Sequence, residues 1–364
     1  MKIGILTFQN AVNYGAVLQA YALQNSIEKL GAEVRLIDYQ CNKVNSLYDP
    51  FPKTTNLKKF VSNLLWYQRK KKKKMAFERF EKKYLKLTDK KYYTKQELKN
   101  TNYLFDKFIS GSDQIWRAES TDFDTTYFLD FVKDNIKKYS YAASFGADKV
   151  EERYRKQYMN LLKQYQEISV REKQGQIIIK ELINKEARID LDPTFLLKKE
   201  EWQFIEKMPD NKKKYIVLFI IRKSKSIFRF AEKLAKEKGC ELIYISNDRK
   251  KEVNAKYVGG ISPEEWLGYI DNAEYVVTNS FHGVAFSIIY QKNFFLELQP
   301  PPAKANARLE NIMDIFHLRE REIVDGENEN IEKEIDYKNI EKMIDEQRKK
   351  SIAYLTHIIE GEKN

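Results

Sequence analysis

The feature that most restricts the fold of this chain is a repeated pattern. Short apolar runs end in small or ionisable residues, and a helical stretch follows. Lys2–Phe8 reads as a strand of the fully buried type. Gly15–Leu30 follows as a helix with Ala16, Ala20, Leu23, Ile27 and Leu30 on one side, Gly31 stops it, and Val34–Asp38 resumes as a strand. A strand–helix–strand unit of this kind builds a parallel sheet and sets the loop Gln9–Gly15 over the sheet's carboxyl edge. It lacks G-x-G-x-x-G, so no dinucleotide fingerprint accompanies it. Further on, Asp106–Ile109 leads into Ser110-Gly111-Ser112-Asp113-Gln114, and Lys138–Ala143 into Ser144-Phe145-Gly146. Ile168–Val170 leads into Arg171-Glu172, and Ala187–Leu191 into Asp192-Pro193-Thr194. One such turn is expected in any α/β protein; four in succession indicate a lined cleft.

A polar break at Lys207–Lys214 reads as an interdomain linker, and the pattern then restarts. Strands are expected at Tyr215–Ile221, Glu241–Ser246, Tyr275–Thr278 and Asn293–Leu298, with helices at Ser226–Glu237, Pro263–Ile270, Gly283–Tyr290 and Ala307–Phe316. At 364 residues the chain is too long for one ordinary core. The expected fold is α/β, with two doubly wound Rossmann-like domains facing a cleft. Their expected bounds are 1–206, with a helical, lysine-rich insertion at 43–102, and 207–330. A helical tail at 331–364 is expected to pack back across the domains.

Composition narrows the classes. Hydrophobic residues at 42% and aromatics at 13% suffice for globular cores. No run of about 18 apolar residues appears, and Met1–Ile5 reads as a strand rather than a signal peptide. Cys41 and Cys240 lie far apart without metal-ligand spacing, so reduced thiols and a cytoplasmic location are expected. The net charge of +12 suits nucleic acid, an anionic membrane or anionic substrates. No RNP, zinc-finger or helix-turn-helix signature is present, so no nucleic-acid partner is expected. The basic run Arg69–Lys74, followed by Phe77, Phe80 and Tyr84, is expected to open an amphipathic helix. It is either a solvated face or a peripheral contact with anionic headgroups at the inner membrane face.

The segment Val276–Tyr290, VVTNSFHGVAFSIIY, is the strongest site candidate. It reads as strand, tight turn and helix, and the helix N-terminus suits an anion. Of the three histidines, His282, His317 and His357, only His282 falls beyond a strand's carboxyl end. The other candidates are Asn13, Tyr14 and Gln19 in the first loop, Asp113, Gln114, Arg171 and Asp192 further along, and Arg222, Asn279, Ser280, Gly283, Lys304 and Arg308 in the second half. G-x-S-x-G, H-E-x-x-H and Walker A motifs are all missing, which weakens hydrolase, metalloprotease and NTPase readings. The cations and helix N-termini point instead to recognition of a phosphate together with a carboxylate.

In order and spacing, these motifs resemble the polysaccharide pyruvyl transferases. The resemblance runs through NYGAVLQAYAL within Thr7–Asp38, ISGSDQIWR at Ile109–Arg117, YAASFG at Tyr141–Gly146 and ISVREKQG at Ile168–Gly175. It continues with DPTFLL at Asp192–Leu197 and TNSFHGVAFSI at Thr278–Ile288, and ends near Arg308 in NARLENIMD. The family implies a GT-B-like fold, with the first domain on the acceptor side and the second on the donor side. It implies transfer of pyruvate from phosphoenolpyruvate, as a ketal, onto a sugar of a surface or capsular polysaccharide or its lipid-linked precursor. His282 corresponds to the family's active-site histidine, Arg171 to its donor-binding arginine, and Arg308 to a basic residue after the following strand. Glu172 stands where relatives more often carry aspartate.

That chemistry demands cations for two anionic groups, a proton donor and a base for the sugar hydroxyls. His282 is expected to contact the donor first and act as an acid second. Asp113 and Asp192 are the candidate bases, with a turn or helix cap as the competing role for each. Gly111, Gly146 and Gly283 are expected where the backbone turns tightly or approaches a ligand. Trp116 reads as a core residue in preference to a sugar platform. Neither metal nor nucleotide cofactor is demanded. The alternative is a GT-B glycosyltransferase using a nucleotide sugar. Against it, the only acids in Asn293–Glu310 are Glu297, expected in a strand, and Glu310, in a helix. A third reading is a sugar- or anion-binding protein without catalysis, which His282 and Arg171 disfavour.

Overall fold

The computed structural model describes residues 1–49, 51, 57–248, 250–299 and 306–361, with the backbone alone for 57–66. The chain forms two compact units: Met1–Asp49, Glu81–Leu197 and Ile344–Asn364 in one, and Pro50–Phe80 with Lys198–Met343 in the other. The division falls after Leu197, ahead of the polar break at Lys207–Lys214. The reason is local: Trp202 is fully buried edge-on against Phe286 at 4.9 Å, and the Lys207 amide donates to the Glu264 carbonyl at 2.9 Å.

In the N-terminal unit, β1 (Lys2–Leu6), β2 (Glu33–Leu36), β3 (Lys107–Ser110) and β4 (Lys138–Ser140) form a parallel sheet in the order β2-β1-β3-β4. A parallel pair, β5 (Ser169–Val170) and β6 (Arg188–Ile189), continues from β4 through single bridges at Tyr139–Glu167 and Ala143–Val170. Ile5 pairs with Leu36 on one side and Ile109 on the other, and Ile3, Ile5 and Leu6 are fully buried. Burial on both faces explains why these strands read as unbroken apolar runs. The strand order reverses between β1 and β3. Loops leaving their carboxyl ends diverge there and open a crevice.

The C-terminal unit repeats this plan with a different order. β7 (Tyr215–Phe219), β8 (Glu241–Ile245), β9 (Lys256–Val258), β10 (Tyr275–Thr278) and β11 (Asn293–Leu296) run parallel as β11-β10-β7-β8-β9. The reversal falls between β7 and β10. Strand β9 was not legible in the sequence, because a three-residue edge strand beginning with an exposed lysine has no apolar run to announce it.

The stretch 43–102 departs from a purely helical insertion. One helix runs Leu57–Tyr84, so the basic run lies in its middle and does not open it. No Gly or Pro interrupts Leu57–Arg69, and nothing stops helix propagation there. Beyond Tyr84 the chain runs extended beside β2, with bridges at Leu36–Leu87 and Tyr39–Tyr92. The tail helix Tyr337–Glu360 belongs to the N-terminal unit from Ile344 onward. There Arg348 Nε donates to the Phe195 carbonyl at 2.7 Å, Ser351 Oγ to Asp190 at 3.0 Å and the Tyr354 hydroxyl to the Ser140 carbonyl at 3.0 Å. Among the described residues, no helix is long and apolar enough to cross a membrane.

Candidate functional site

In the C-terminal unit the turn after β10 is held by its own polar residues. Thr278 Oγ1 donates to the Phe219 carbonyl at 2.5 Å and accepts from the Ser280 amide at 3.0 Å. Ser280 caps the helix Phe281–Ile289, its Oγ accepting from the Gly283 amide at 3.4 Å. A Cβ on Gly283 would meet Thr278 Oγ1 at 2.3 Å, so only glycine lets this helix start so close to the strand. His282 is therefore fixed in the first helical turn at the sheet's carboxyl edge, 7% exposed, with its ring perpendicular to that of Phe281. Arg308, at the start of the helix Ala307–Ile315, lies over the same Phe281 ring at 5.9 Å. A helix N-terminus, an imidazole and a guanidinium thus gather around one phenylalanine. This is a group suited to an anion. Asn279 does not aim at a ligand. Its side chain holds the backbone of Ile221 and Arg222. Lys304 and the stretch Pro300–Pro302 lie outside the described residues.

The N-terminal unit carries a different chemistry. Arg171, 3% exposed, sits among three carboxylates: Asp192 at 2.6 Å, Asp113 at 3.6 Å and Glu172 at 3.7 Å. Burial alone would disfavour the charged guanidinium, but Asp192, Asp113 and Glu172 together outweigh it and hold its pKa above the ordinary value. Asp192 spends both oxygens locally. Oδ1 accepts from the Thr194 amide at 3.0 Å and hydroxyl at 2.8 Å, and Oδ2 from Arg171 and from Ser112 Oγ at 3.3 Å. Glu172 accepts from Ser144 Oγ at 2.7 Å. Of the two candidate bases, Asp113 keeps more freedom. Its side chain is 13% exposed against 0% for Asp192, and it accepts a hydrogen bond from the Gln114 amide at 2.8 Å. Its φ of 74° lies in the left-handed region, a local strain that concentrates at functional sites.

The first loop meets Asp113 through a residue that sequence reasoning missed. The Tyr48 phenol is pushed up to about 12 by burial and by the negative charge of Asp113, against the opposing effect of a hydrogen bond with Asn13. Tyr48 lies in the lysine-rich stretch outside every matched motif, so no spacing pointed to it. Asn13 also caps the helix Tyr14–Lys29, accepting from the Ala16 amide at 3.3 Å. Tyr14 is buried, and Gln19 donates to Thr7 Oγ1 at 2.9 Å inside the core. Gln114 accepts from Arg117 at 3.1 Å and lies where a Cβ on Gly146 (φ +56°) would strike it at 2.5 Å. Trp116 is a core residue, stacked on Phe128 with centroids 5.5 Å apart. Glu297 stands just past the end of β11, not within it, and accepts from Ser224 Oγ at 2.6 Å. The other two histidines lie elsewhere: His357 pairs with Glu167 at 2.7 Å, and His317 ends a helix with φ 55°.

Among solved structures, one from Listeria monocytogenes assigned as a UDP-N-acetylglucosamine 2-epimerase is similar, with 11% identity, 96% of this chain and 90% of that chain covered, and a TM-score of 0.50. The Methanocaldococcus jannaschii UDP-GlcNAc 2-epimerase in complex with UDP-GlcNAc and UDP gives 14% identity, 99% coverage of both chains and a TM-score of 0.49. At such identities a likeness concerns the fold alone. With the two sheet topologies, the first of these gives an α/β, Rossmann-like architecture of the GT-B kind. No curated protein sequence matches the chain. The family model of the polysaccharide pyruvyl transferases matches residues 13–296, from Asn13 through the His282 turn to the end of β11. The chain therefore belongs to the polysaccharide pyruvyl transferase family and is a transferase.

Proposed function

We propose that the donor is phosphoenolpyruvate and the product a pyruvate ketal on a sugar of a surface or capsular polysaccharide, or of its lipid-linked precursor. The observation that carries this reading is the His282 turn: an imidazole at a helix N-terminus, with Arg308 over the adjoining Phe281 ring. Phosphoenolpyruvate presents a phosphate and a carboxylate, and this group suits both.

The reaction follows in steps that balance. A proton adds to the methylene carbon of phosphoenolpyruvate as one sugar hydroxyl oxygen bonds to C2. The C2–O bond to phosphate then breaks, phosphate leaving with the electron pair. A second hydroxyl oxygen bonds to C2 and closes the ketal. Of the two hydroxyl protons, one ends on the new methyl group and the other on phosphate. His282 contacts the donor and supplies a proton towards C3; Arg308 holds an anionic group. Asp113 takes the hydroxyl proton, since it keeps more exposure than the other carboxylates around Arg171. Arg171 acts through them, holding Asp192 and Asp113 in place. Tyr48, beside Asp113 and hydrogen-bonded to Asn13, fits an acceptor hydroxyl. No cofactor enters the scheme. The protein acts in the cytoplasm, and the exposed Arg69, Lys71 and Lys72 of the helix Leu57–Tyr84 give it a peripheral contact with anionic lipid.

One observation favours a second reading. Glu297 lies at the carboxyl edge beside the His282 turn, where a carboxylate suits a sugar hydroxyl of a nucleotide-sugar donor. The test is phosphate release from phosphoenolpyruvate across galactose, glucose, N-acetylglucosamine and N-acetylmannosamine acceptors. Thermal stabilisation by phosphoenolpyruvate and not by UDP-sugars supports the first reading. The reverse pattern supports the glycosyltransferase.

A further inference from the structure

At the reversal point of the C-terminal sheet, the loop after β7 and the turn after β10 lie side by side. Thr278 and Phe219 are register partners at the ends of these strands. One residue further on, Asn279 crosses to the neighbouring loop. Its Oδ1 accepts from the Ile221 amide at 2.7 Å and the Arg222 amide at 3.4 Å, and its Nδ2 donates to the Arg222 carbonyl at 2.6 Å. Asn279 is 3% exposed, so a buried amide is devoted to the backbone of one loop residue. A buried polar group that satisfies both donors and acceptors fixes the geometry of what it holds.

What it holds is an arginine. The Arg222 side chain is exposed and makes no ion pair among the described residues. The adjoining cation behaves differently: Lys223 pairs with Asp248 at 3.0 Å and Glu252 at 2.6 Å. The loop thus carries two cations, neutralises one and leaves the other beside the turn that bears His282. Exposed arginines are common and most do no more than keep a surface charged. A buried latch on the backbone of this one, at the point where an α/β sheet places ligands, is a specific arrangement.

We propose that Arg222 binds the phosphate of the donor, its fork taking two phosphate oxygens, and that Asn279 is the positioning residue that holds Arg222 beside the His282 helix. The inference rests on the donor reading above. It extends that reading to a residue outside the matched motif TNSFHG, and gives the asparagine of that motif a role that involves no ligand contact.

The test is calorimetric titration of phosphoenolpyruvate into the full-length protein, alone and with inorganic phosphate as competitor. The forms compared are wild type, Arg222→Gln, Lys223→Gln, Asn279→Ala and the double variant Arg222→Gln/Asn279→Ala. Arg222→Gln should weaken phosphoenolpyruvate binding about 10- to 100-fold and blunt competition by phosphate, whereas Lys223→Gln should change it less than about 2-fold. Asn279→Ala should weaken binding in the wild-type background and add little once Arg222 is gone, which a merely structural loss would not do. If Asn279→Ala fails to fold, the Arg222 and Lys223 variants decide. Equal affinity of wild type and Arg222→Gln overturns the inference and leaves the donor reading standing. No binding of phosphoenolpyruvate by the wild type overturns the donor reading, and this inference with it.

Discussion

Replacing Arg171 by methionine keeps most of the side-chain volume and removes one positive charge from among three carboxylates. Asp192 lies 2.6 Å away, Asp113 3.6 Å and Glu172 3.7 Å, with the arginine side chain 2% exposed. At an effective dielectric of about 20, the Coulomb attractions are roughly 6 kcal/mol for the nearest pair and roughly 4.5 for each of the others. Most of this is offset by the cost of desolvating the charges. Removing one partner of a buried pair therefore costs about 3–5 kcal/mol, because the remaining charges stay buried without compensation. For a domain of 150–250 residues that corresponds to a melting temperature lower by about 6–20 °C.

Differential scanning calorimetry of both proteins at pH 7.5 measures the deficit. A variant melting within about 2 °C of wild type at pH 7.5 would refute the structural role. The donor role implied by the family resemblance has a different signature. In that case Arg171→Lys would raise the Michaelis constant for phosphoenolpyruvate and leave the melting temperature unmoved.

His282→Ala should fold normally and lose turnover by roughly 10²–10⁴-fold if the imidazole supplies a proton; unchanged turnover in the folded variant removes that role. Glu206, raised from 4.5 to about 7 by burial and by Asp271, against opposing contributions from Tyr290, Lys199 and Lys292, should make the fold less stable as pH rises from 4.5 to 7. Allowing for its partial exposure, the effect is on the order of 1–2 kcal/mol. Glu206→Gln should flatten that slope and raise the melting temperature at pH 8 but not at pH 4.5; a parallel pair of curves contradicts the assignment. Replacing the lysines of the basic run by glutamine should weaken sedimentation with anionic vesicles at low salt by about 1 kcal/mol per exposed residue, and leave activity on a soluble acceptor unchanged. No sedimentation of the wild type at low salt means a solvated helix face.

Both parallel sheets were legible because burial on two faces writes a strand as an unbroken apolar run, as in Lys2–Phe8 and Tyr275–Thr278. The extended return beside β2 was not, since its residues alternate with lysines at a sheet edge, and neither was β9. At the site, the chain positions were easier to read than the duties. Sequence says that Asn279, Ser280 and Asp192 stand at strand ends and Asn13 in the loop after the first strand. It does not say whether a polar side chain there turns to a ligand or back to the main chain. In each of these four it turns back: Asn279 to the Ile221–Arg222 backbone, Ser280 to the Gly283 amide, Asp192 to Thr194 and Asn13 to the Ala16 amide. The physical reason is common to all. A loop leaving a parallel sheet must satisfy amides that neither strand nor helix covers, and short polar side chains do so at close range. Tyr48 escaped for the opposite reason, since its place beside Asp113 is set by tertiary packing alone.

This sorting leaves each unit with its own electrostatic character. Around Arg171, three carboxylates face one guanidinium, so the N-terminal cluster is net negative. An anionic donor is repelled by such a cluster. An uncharged sugar is not, and a carboxylate beside it can draw off a hydroxyl proton. Around Phe281 the balance is reversed: a helix N-terminus, His282 and Arg308 meet, with Arg222 on the adjoining latched loop. Such a group attracts an anionic donor and stabilises a developing phosphate. The signs of the charges therefore support the proposed assignment of the acceptor to the first cluster and the donor to the second. Among three carboxylates the charge of Arg171 is already spent, which supports a role for it on the proposed acceptor side.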